Sequence, residues 1–436
     1  MPRYNLGMDD TDSLQRGCTT YIGALLIDSL LGKGCRFFDY PNLIRLNPNI
    51  PWKSRGNAAV CLRFETELPT ADIMNMASNL VERYRDSKDR KNQPGVALLE
   101  GEVPEGVMAF GRRALSDVLT VEEAKEVATE AKMKFQVLKG GRGLVGAVAS
   151  IGNTLVGDHT YELVVYRGEY LWGKKRDVDY NSVLRFDAET MPNTFNNIDD
   201  ETKRMLITPH GPDPILFGVR GETAEVVRGA LGGIRFRGGE RWVLYRSNQG
   251  TAAHLFKIMP VSSLEAYQAA IIQGTICRKP LVLKGSHVIG TLHDESGEID
   301  IASYEPSGGM RNVLRELVPG DCIRAYGGVR VRKDRELTFN LEKLEVLRLI
   351  TEATRNPICQ QCGKSMKSEG KGKGYQCRRC GRKVVKAALV RLDRKVGTGT
   401  YLPPPRSMRH LTKPQRRFGL EKKSWEGEVG RFYGAL

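Results

Sequence analysis

Three carboxylates lie within four residues near the start of the chain: Asp9, Asp10 and Asp12. They follow a short run whose alternating apolar residues predict a strand. Like charges this close repel one another unless a cation or protons neutralise them. Mg²⁺ takes one or two carboxylates together with phosphate oxygens and water. The cluster therefore predicts a magnesium site.

The next residues predict a helix that begins with hydroxyl groups. Apolar residues recur at helical spacing from Thr19 to Leu31, and Gly32 gives a stop signal. The hydroxyls of Thr19 and Thr20 would lie at the helix N-terminus, where free N–H groups and the helix dipole favour an anion such as phosphate. Acids on one side and this helix start on the other predict phosphoryl chemistry. The alternative is an acidic turn whose Asp and Thr residues only cap the helix.

A glycine-rich segment over residues 139–147 is a second candidate for phosphate binding, and it opens a predicted helix of small residues. Glycines let backbone N–H groups approach a phosphate, and neighbouring basic side chains add charge. No Gly-Lys-Ser/Thr follows, so the segment is not a Walker motif. The alternative is a tight turn before a closely packed helix. Its candidate ligands are Lys139, Gly141, Arg142, Gly143 and Gly146.

Two C-x-x-C pairs near the C-terminus have the spacing of a metal site. The thiols of Cys359, Cys362, Cys377 and Cys380 can hold Zn²⁺ in a closed tetrahedron, which predicts a structural zinc ribbon. A redox or iron–sulfur role is the alternative. The other five cysteines are scattered and are expected to be reduced thiols. Basic residues crowd the second pair and are candidate phosphate contacts: Arg378, Arg379, Arg382 and Lys383.

The positive charge is concentrated at one end of the chain. The formal net charge is +16, and residues 351–436 carry 21 Lys and Arg against 6 Asp and Glu, a net charge of +15. A basic end on a nearly neutral body predicts that this end holds a polyanion. A disordered basic tail is the alternative.

The elements that would position these groups indicate several domains. A chain of 436 residues is expected to form about two to four domains. The pattern over residues 277–350 predicts short strands with one short helix at 311–317, which fits a small OB-type barrel. The pattern over residues 212–251 predicts a strand, a helix over 222–231 and a strand, as in half of a ferredoxin-like sandwich.

No apolar run approaches the ~20 residues of a membrane span, and no signal sequence is evident, so we expect a cytoplasmic protein without membrane contact.

From end to end, the chain resembles the archaeal tRNA(Ile) 2-agmatinylcytidine synthetases. Ordered motifs carry the resemblance: the acid cluster with Gly17-Cys18-Thr19-Thr20, Arg45-Leu46-Asn47-Pro48-Asn49-Ile50-Pro51, Arg55-Gly56-Asn57, the 139–147 segment, Pro192-Asn193-Thr194-Phe195, the run 212–221, the cysteine pairs, and Arg409-His410-Leu411-Thr412-Lys413-Pro414.

The resemblance implies an ATP-dependent tRNA-modifying ligase. It would join agmatine to the 2-oxo position of the wobble cytidine of an isoleucine tRNA with a CAU anticodon, through phosphoryl activation, and release AMP and pyrophosphate. Asp9, Asp10 and Asp12 would hold Mg²⁺, Thr19 would be phosphorylated, and the 139–147 segment would cradle ATP. The expected agmatine ligands are Asn193, Thr194, Asp199 and Asp213; Arg409 and Lys413 join the four ribbon bases as tRNA contacts.

The resemblance also implies a multidomain α+β fold. We expect a kinase-like α/β domain that binds ATP and Mg²⁺ over residues 1–157, a ferredoxin-like domain over 158–265, an OB-type barrel that binds tRNA over 276–350, and a zinc ribbon with a basic C-terminal segment over 351–436. Two rival functions remain: a non-catalytic OB and zinc-ribbon protein that binds nucleic acid, and an ATP-dependent RNA ligase or kinase that acts on ends. The first leaves the acid cluster unexplained, and no nucleotidyl-accepting lysine motif supports the second.

Overall fold

The strand Ala58–Glu65 alternates between two apolar cores on opposite faces of one large sheet. Its even-numbered residues from Val60 to Phe64 enter one core, and Ala59 and Cys61 enter the other, because successive side chains of a strand point to opposite faces. This is a computed structural model, and it describes residues 1–13, 17–53, 56–89, 91–370, 372–425 and 427–436. Arg55, which belongs to a motif above, lies outside the described residues.

Helices cover both faces of the sheet in the N-terminal region. The elements are β1 (Arg3–Asp9), α1 (Thr19–Gly32), β2 (Arg36–Phe37), β3 (Asn42–Arg45), β4 (Ala58–Glu65), α2 (Thr70–Tyr84), β5 (Gly95–Glu100), α3 (Glu105–Arg113), α4 (Val121–Glu130), β6 (Lys134–Val137) and α5 (Gly143–Gly152). Helices α1 and α2 contribute to one core, and α3, α4 and α5 contribute to the other. The predicted helix at Thr19 is confirmed.

The second region continues the same sheet. Its elements are β7 (Thr160–Arg167), β8 (Asp177–Val178), α6 (Tyr180–Thr190), β9 (Thr194–Phe195), β10 (Ile215–Gly221), α7 (Ala224–Arg228), α8 (Ala230–Gly233), β11 (Phe236–Arg237) and β12 (Gly239–Ser247). The strand order is β6-β5-β1-β4-β3-β12-β7-β10-β9, with β3 and β12 parallel. The expected helix over 222–231 is two short helices, which Gly229 separates. No local pattern indicated that the two regions share a sheet.

The third region is a closed barrel of five strands. Its elements are β13 (Ala269–Val282), β14 (Val288–Asp294), β15 (Gly297–Ser303), α9 (Gly309–Glu316), β16 (Cys322–Val331) and β17 (Leu337–Arg348). Pairing of β15 with β17 closes the barrel. The predicted OB-type fold is confirmed. The first strand begins at Ala269, ahead of residue 276, because the four consecutive buried residues from Ala269 to Ile272 extend β13.

The remaining strands form the ribbon and its flanks: β18 (Glu352–Arg355), β19 (Lys367–Ser368), β20 (Tyr375–Gln376), β21 (Lys383–Val384), β22 (Ala388–Arg391), β23 (Gly399–Tyr401) and β24 (Tyr433–Ala435). Strand β23 pairs with β17 of the barrel, and β24 pairs with β12 of the large sheet. We call the described residues from 401 to 436 the strap. In the part of the chain that the structure describes, no helix combines the length and apolar character that a membrane span requires.

Candidate active site

The acid cluster lies where β1 ends and the chain turns. Asp9 Oδ1 accepts a hydrogen bond of 2.7 Å from the Asp10 N–H. Asp10 has a φ of 56°, and its carboxylate accepts hydrogen bonds from Arg142 at 3.1 Å and from the Gln93 N–H at 3.3 Å. The glycine-rich segment therefore contacts the acid cluster through Arg142, although the two are far apart in sequence.

Helix α5 approaches Asp9 so closely that only a glycine fits. A Cβ at Gly146 would lie 1.8 Å from Asp9 Oδ2. This side of the site is formed by bare helix backbone, and the Asp9 carboxylate occupies the space that a side chain would fill. The small-residue composition of α5 is thus a requirement of the site as well as of the helix packing.

Burial makes ionisation of the cluster costly. Burial, and then the charge of Asp10, raise the pKa of Asp9 well above its ordinary value. Burial also raises the pKa of Asp10 to about 6, although Arg142 opposes the shift. A bound cation would favour the ionised forms, so the donor set fits Mg²⁺. Among the described residues, however, only the four ribbon cysteines gather their ligand atoms within 4.8 Å of one another, so the three aspartates do not form a closed metal site by themselves.

Thr19 is held by the acid cluster and does not cap its helix. Its Oγ1 donates a hydrogen bond of 2.8 Å to Asp12 Oδ1 and lies 2.9 Å from Thr11 Oγ1. The N-cap residue of α1 is Cys18, whose side chain makes no capping bond. The capping alternative is therefore wrong for Thr19: the hydroxyl is buried beside a carboxylate.

A cavity opens at this cluster and continues into a second one, and both share Asp10, Asp12, Trp52 and Lys53 in their walls. The first is also lined by Asp9, Arg142, Gly146, Leu46, Ile50, Asn57, Ala114, Asp117, Leu119 and Val145. The second adds Ser13, Pro51, Asp86, Lys88, Asp89 and Lys91. Together we call them the nucleotide cavity, because they combine an apolar wall with acids and lysines. Sequence reasoning missed these wall residues, apart from those in the quoted motifs. The available signal was a tryptophan directly before a lysine, Trp52-Lys53.

Lys139 and Gly141 support the cavity from outside its lining. The Lys139 ammonium donates to the carbonyl oxygens of Ser87 and Asp89, at 3.3 and 2.9 Å. Gly141 has a φ of 74°, and Gly143 begins α5. Of the predicted glycine-segment ligands, the structure brings only Arg142 and Gly146 to the wall of the cavity.

A third cavity, of about 450 Å³, lies on the other side of the α1 start. Thr20 lines it, whereas the neighbouring Thr19 hydroxyl contacts Asp12 on the nucleotide side. The buried carboxylate of Glu162 lines this cavity, 3.1 Å from Arg220 and 3.8 Å from Arg45. The other charged and imidazole side chains in its wall are Asp213, Arg406, Arg409, His210 and His410. We call it the second substrate cavity.

Two of the four predicted agmatine residues carry charges that are already paired. Asp213 lines the second substrate cavity and accepts a hydrogen bond of 3.1 Å from Arg176. Asp199 is buried and pairs with Arg406 at 3.0 Å. Burial would raise the pKa of Asp199, but hydrogen bonds from Thr202 and Arg406 hold it below its ordinary value.

The other two agmatine candidates lie outside the lining of that cavity. Thr194 is buried in the edge strand β9, where its hydroxyl meets Thr190 and Asn197. Asn193 is exposed, and its carbonyl oxygen accepts a hydrogen bond from the Glu222 N–H. The structure therefore brings Asp213 to the cavity wall but not Asn193 or Thr194.

The four ribbon cysteines bring their sulfur atoms together as one set of possible metal ligands. Their sulfur atoms all lie within 4.8 Å of one another, close to the sulfur–sulfur spacing of about 3.8 Å that Zn–S bonds of about 2.3 Å require. Each pair forms a turn closed by a hydrogen bond of 2.8 Å, from the Gly363 N–H to the Cys359 carbonyl and from the Gly381 N–H to the Cys377 carbonyl. The set fits a structural Zn²⁺ with no open position.

The predicted tRNA contacts divide into two groups. Arg378, Arg379, Arg382 and Lys383 are exposed on the ribbon. Arg409 instead contacts Asn49 at 2.7 Å, and Lys413 pairs with Glu421 at 2.9 Å. Arg409 and Lys413 therefore contact the protein's own residues.

Other strap cations are also neutralised by the body of the protein. The guanidinium of Arg417 is fully buried between Glu222 and Asp158, and Arg416 pairs with Asp187 at 2.9 Å. These charges hold the strap against the second region, and its contact with a polyanion stays a prediction. The exposed ribbon retains the surface charge.

Comparison with known families covers nearly the whole chain. Residues 5–140 match the family described as TiaS TCKD domain, 141–254 the TiaS FLD domain, 270–347 an OB-fold nucleic acid binding domain, and 356–396 the TiaS C-terminal zinc ribbon domain. Two similar relatives are TiaS proteins, named as 2-agmatinylcytidine synthetases of an isoleucine tRNA. That of Methanocaldococcus jannaschii is 38% identical over 94% of this chain and 97% of its own length. That of Pyrococcus horikoshii is 40% identical, with coverage of 94% and 96%.

Solved structures show the same fold. A complex of TiaS with an isoleucine tRNA and ATP is similar with a TM-score of 0.84 and 33% identity, covering 96% of this chain and 98% of the other. A complex of TiaS with an isoleucine tRNA, AMPCPP and agmatine gives a TM-score of 0.82 at 31% identity, covering 96% and 98%. A TiaS mutant that lacks the ZRD, in complex with agmatine, gives 0.74 at 27% identity, covering 96% and 97%.

Proposed function

Because this chain belongs to the TiaS family of tRNA 2-agmatinylcytidine synthetases, we propose a reaction scheme that uses its two neighbouring cavities. The enzyme conjugates agmatine to tRNA at the expense of ATP, and it contains a zinc ribbon and an OB barrel. We further propose that it acts on the 2-oxo group of the wobble cytidine in a CAU anticodon, and that water first cleaves ATP to AMP and pyrophosphate. One phosphoryl group of the pyrophosphate then passes to Thr19, and the other leaves as phosphate. A cytoplasmic location belongs to the same proposal.

ATP is proposed to occupy the nucleotide cavity. The apolar wall that includes Leu46, Ile50 and Leu119 suits a purine ring, and Arg142 and Lys53 supply charge for the phosphates. Asp9, Asp10 and Asp12 would hold Mg²⁺. Such an ion, when bound, neutralises phosphate oxygens and favours displacement at phosphorus. The raised pKa values of Asp9 and Asp10 support this assignment, because a site built for a divalent cation concentrates negative charge where little water reaches.

Thr19 is proposed to accept a phosphoryl group that originates from ATP. Its hydroxyl donates to Asp12, which can withdraw the proton as the oxygen attacks phosphorus. Thr19 contacts Asp12 of the nucleotide cavity, and its neighbour Thr20 lines the second substrate cavity, so a phosphoryl group on Thr19 would have ATP on one side and could be passed to a cytosine on the other. The oxygen of an amide-like carbonyl is a poor leaving group. Once that oxygen carries a phosphoryl group, the primary amine of agmatine can attack C2, and the oxygen departs as phosphate.

The second substrate cavity is proposed to receive agmatine and the flipped base. We keep Asp213 as the candidate for the guanidinium, and we assign Asp199 to the support of Arg406 in the cavity wall. The target base must leave its stack to enter a cavity of this kind. Asn193 and Thr194 would act only by shaping the edge strand β9.

The barrel and the ribbon are proposed to hold the tRNA body. The four exposed basic side chains of the ribbon would contact phosphates of the tRNA. Such contacts fix the position of the tRNA and carry no sequence information. We propose the domain division predicted above, with one change: the barrel begins at Ala269. The kinase-like and ferredoxin-like regions would act as one unit, because their strands share a sheet.

The observation that carries the proposal is the hydrogen bond from Thr19 to Asp12 of the nucleotide cavity, one residue before Thr20 of the second substrate cavity. The test compares Thr19→Ser with Thr19→Val, which keeps the shape of threonine but has no hydroxyl. After incubation with ATP and Mg²⁺, mass spectrometry should find one phosphate at residue 19 of the wild type and of the serine variant. The valine variant should fold, bind tRNA and fail to incorporate labelled agmatine.

The outcomes separate this enzyme from its rivals. Normal agmatine incorporation by Thr19→Val would remove the covalent step from the scheme. If an Asp9→Asn/Asp10→Asn variant also conjugated agmatine normally, the acid cluster would not be the catalytic site. A non-catalytic binding protein would give tRNA binding without any incorporation in the wild type.

A further inference from the structure

The segment 46–53 has two functional sides. Leu46, Ile50, Trp52 and Lys53 line the nucleotide cavity. Asn49, in the middle of the same segment, is fully buried and contacts the barrel and the strap. One short segment therefore forms part of the proposed ATP site and is held from behind by the region that is proposed to hold tRNA.

Asn49 is bound by two arginines from different parts of the chain. Arg330 of β16 donates a hydrogen bond of 2.7 Å to the Asn49 carbonyl oxygen. Arg409 of the strap donates one of 2.7 Å to Asn49 Oδ1. The Asn49 side chain lies directly over Gly328 of β16, where a Cβ would come within 2.1 Å of Oδ1. Any side chain at residue 328 would displace Asn49.

A buried acid supports these arginines. Glu342 of β17 lies 3.4 Å from Arg409 and 2.8 Å from the His254 Nε2. Although burial opposes its ionisation, the charges of Arg409 and His254 lower the pKa of Glu342 to about 2. Burial, followed by the charges of Arg409 and Arg330, lowers the pKa of Lys53 in the cavity wall. The charges behind Asn49 therefore also act on the nucleotide side of the segment.

We propose that Asn49 is a positioning residue that couples the barrel to the nucleotide cavity. A tRNA that seats on the barrel would fix β16 and β17, and Asn49 would transmit that position to Ile50, Trp52 and Lys53. This inference rests on the proposed function, because it assumes that ATP binds in the nucleotide cavity. It adds a coupling between the two ligands that neither the acid cluster nor the ribbon supplies. Bound tRNA would strengthen the binding of ATP, and bound ATP would strengthen the binding of tRNA.

The test measures the affinity of a non-hydrolysable ATP analogue with and without bound tRNA. In the wild type, we expect tRNA to lower the Kd of the analogue at least about fivefold, the lower end of the usual range of coupling. By reciprocity, the analogue should strengthen tRNA binding by the same factor. In Asn49→Ala, the ratio of the analogue's Kd without tRNA to its Kd with tRNA should fall to about one. The affinity of this variant for tRNA alone should stay the same.

Matched variants keep the test independent of folding. Asn49→Asp retains the oxygen that accepts from Arg409, and the Asn49 Nδ2 that it removes has no hydrogen-bond partner among the described residues, so this variant should keep most of the coupling. Gly328→Ala should lose the coupling, because the new Cβ would displace the Asn49 side chain. Gly309→Ala, in the same barrel but with open space around its Cβ position, should behave as the wild type. Unfolding midpoints identify any variant that fails to fold.

Three results would overturn the positioning role: a wild-type ratio near one, an unchanged ratio in folded Asn49→Ala, or equal losses in Gly328→Ala and Gly309→Ala. Failure of the ATP assignment looks different. It would appear as an analogue affinity whose Mg²⁺ dependence does not change in the Asp9→Asn/Asp10→Asn variant.

Discussion

Gly146→Ala should inactivate the enzyme without unfolding it. The new Cβ would lie 1.8 Å from Asp9 Oδ2 and 2.5 Å from Asp9 Cγ, and Cβ atoms essentially never come closer than 3.0 Å to such neighbours. Because the neighbouring helix backbone is packed against the sheet, the Asp9 carboxylate has to move, by at least about 1.2 Å. A displacement of about 1 Å in a catalytic constellation can cost about 100-fold in rate.

The free energy of unfolding should change little, because the substitution also favours the helix in which residue 146 lies. Gly146 lies inside α5, where alanine is favoured over glycine by about 1 kcal/mol. That gain offsets part of the cost of moving Asp9, so the unfolding midpoint should change by only a few degrees. Most damaging substitutions lower activity and stability together, whereas here the two measurements should separate.

The assay is the initial rate of labelled agmatine incorporation into tRNA at saturating ATP, beside a thermal melt. Gly106→Ala is the matched control, because Gly106 lies in helix α3 of the same region and nothing surrounds its Cβ position within 4 Å. The control should keep the wild-type rate. If Gly146→Ala incorporated agmatine at the wild-type rate, the close approach of α5 would have no part in placing Asp9.

Three further predictions concern the ribbon and the buried acid. Purified protein should contain one Zn²⁺ per chain by metal analysis, and Cys359→Ser should lose it whereas Cys277→Ser, outside the ribbon, should not. Arg378→Gln with Arg379→Gln should weaken tRNA binding and lower its salt slope by about two, since each lost phosphate contact removes about one unit; an unchanged slope would exclude these contacts. Glu342→Gln should destabilise the protein at neutral pH. Since the pKa of Glu342 is lowered to about 2, against about 4.3 unfolded, the deficit should be complete above about pH 4.3 and vanish as pH falls toward about 2. Melts of both proteins across pH 2–7 measure this, and a deficit that does not vary with pH would mean that folding leaves the pKa of Glu342 unchanged.

The sequence alone predicted those features that depend on residues close to one another along the chain. The helix at Thr19, the cysteine pairs and the barrel follow from periodicity and spacing, because each is a local pattern. Contacts between distant segments were not predictable in this way. The hydrogen bond between Arg142 and Asp10, and the burial of Asn49 under Arg330, depend on strand order and register.

Charge was the least reliable guide to the site. The strap and the ribbon are both basic, and composition does not distinguish a cation that faces solvent from one that pairs with a buried acid. Arg417 is fully buried between two carboxylates, whereas Arg378 is exposed. Partner positions decide this difference, and single-sequence reasoning does not reach them.

The pairing of β23 with β17 has a consequence for how the chain tolerates change. Val346 of β17 lies opposite Gly399 of β23, so the chain leaves the barrel and returns to it at neighbouring points. Everything between those points, including the cysteine pairs, is topologically a long hairpin loop. The entropy of closing such a loop grows only slowly, by about 0.6 kcal/mol for each doubling of its length. The ribbon could therefore be lengthened or shortened at little entropic cost, provided that Arg394, which pairs with the fully buried Asp321 at 2.6 Å, is kept.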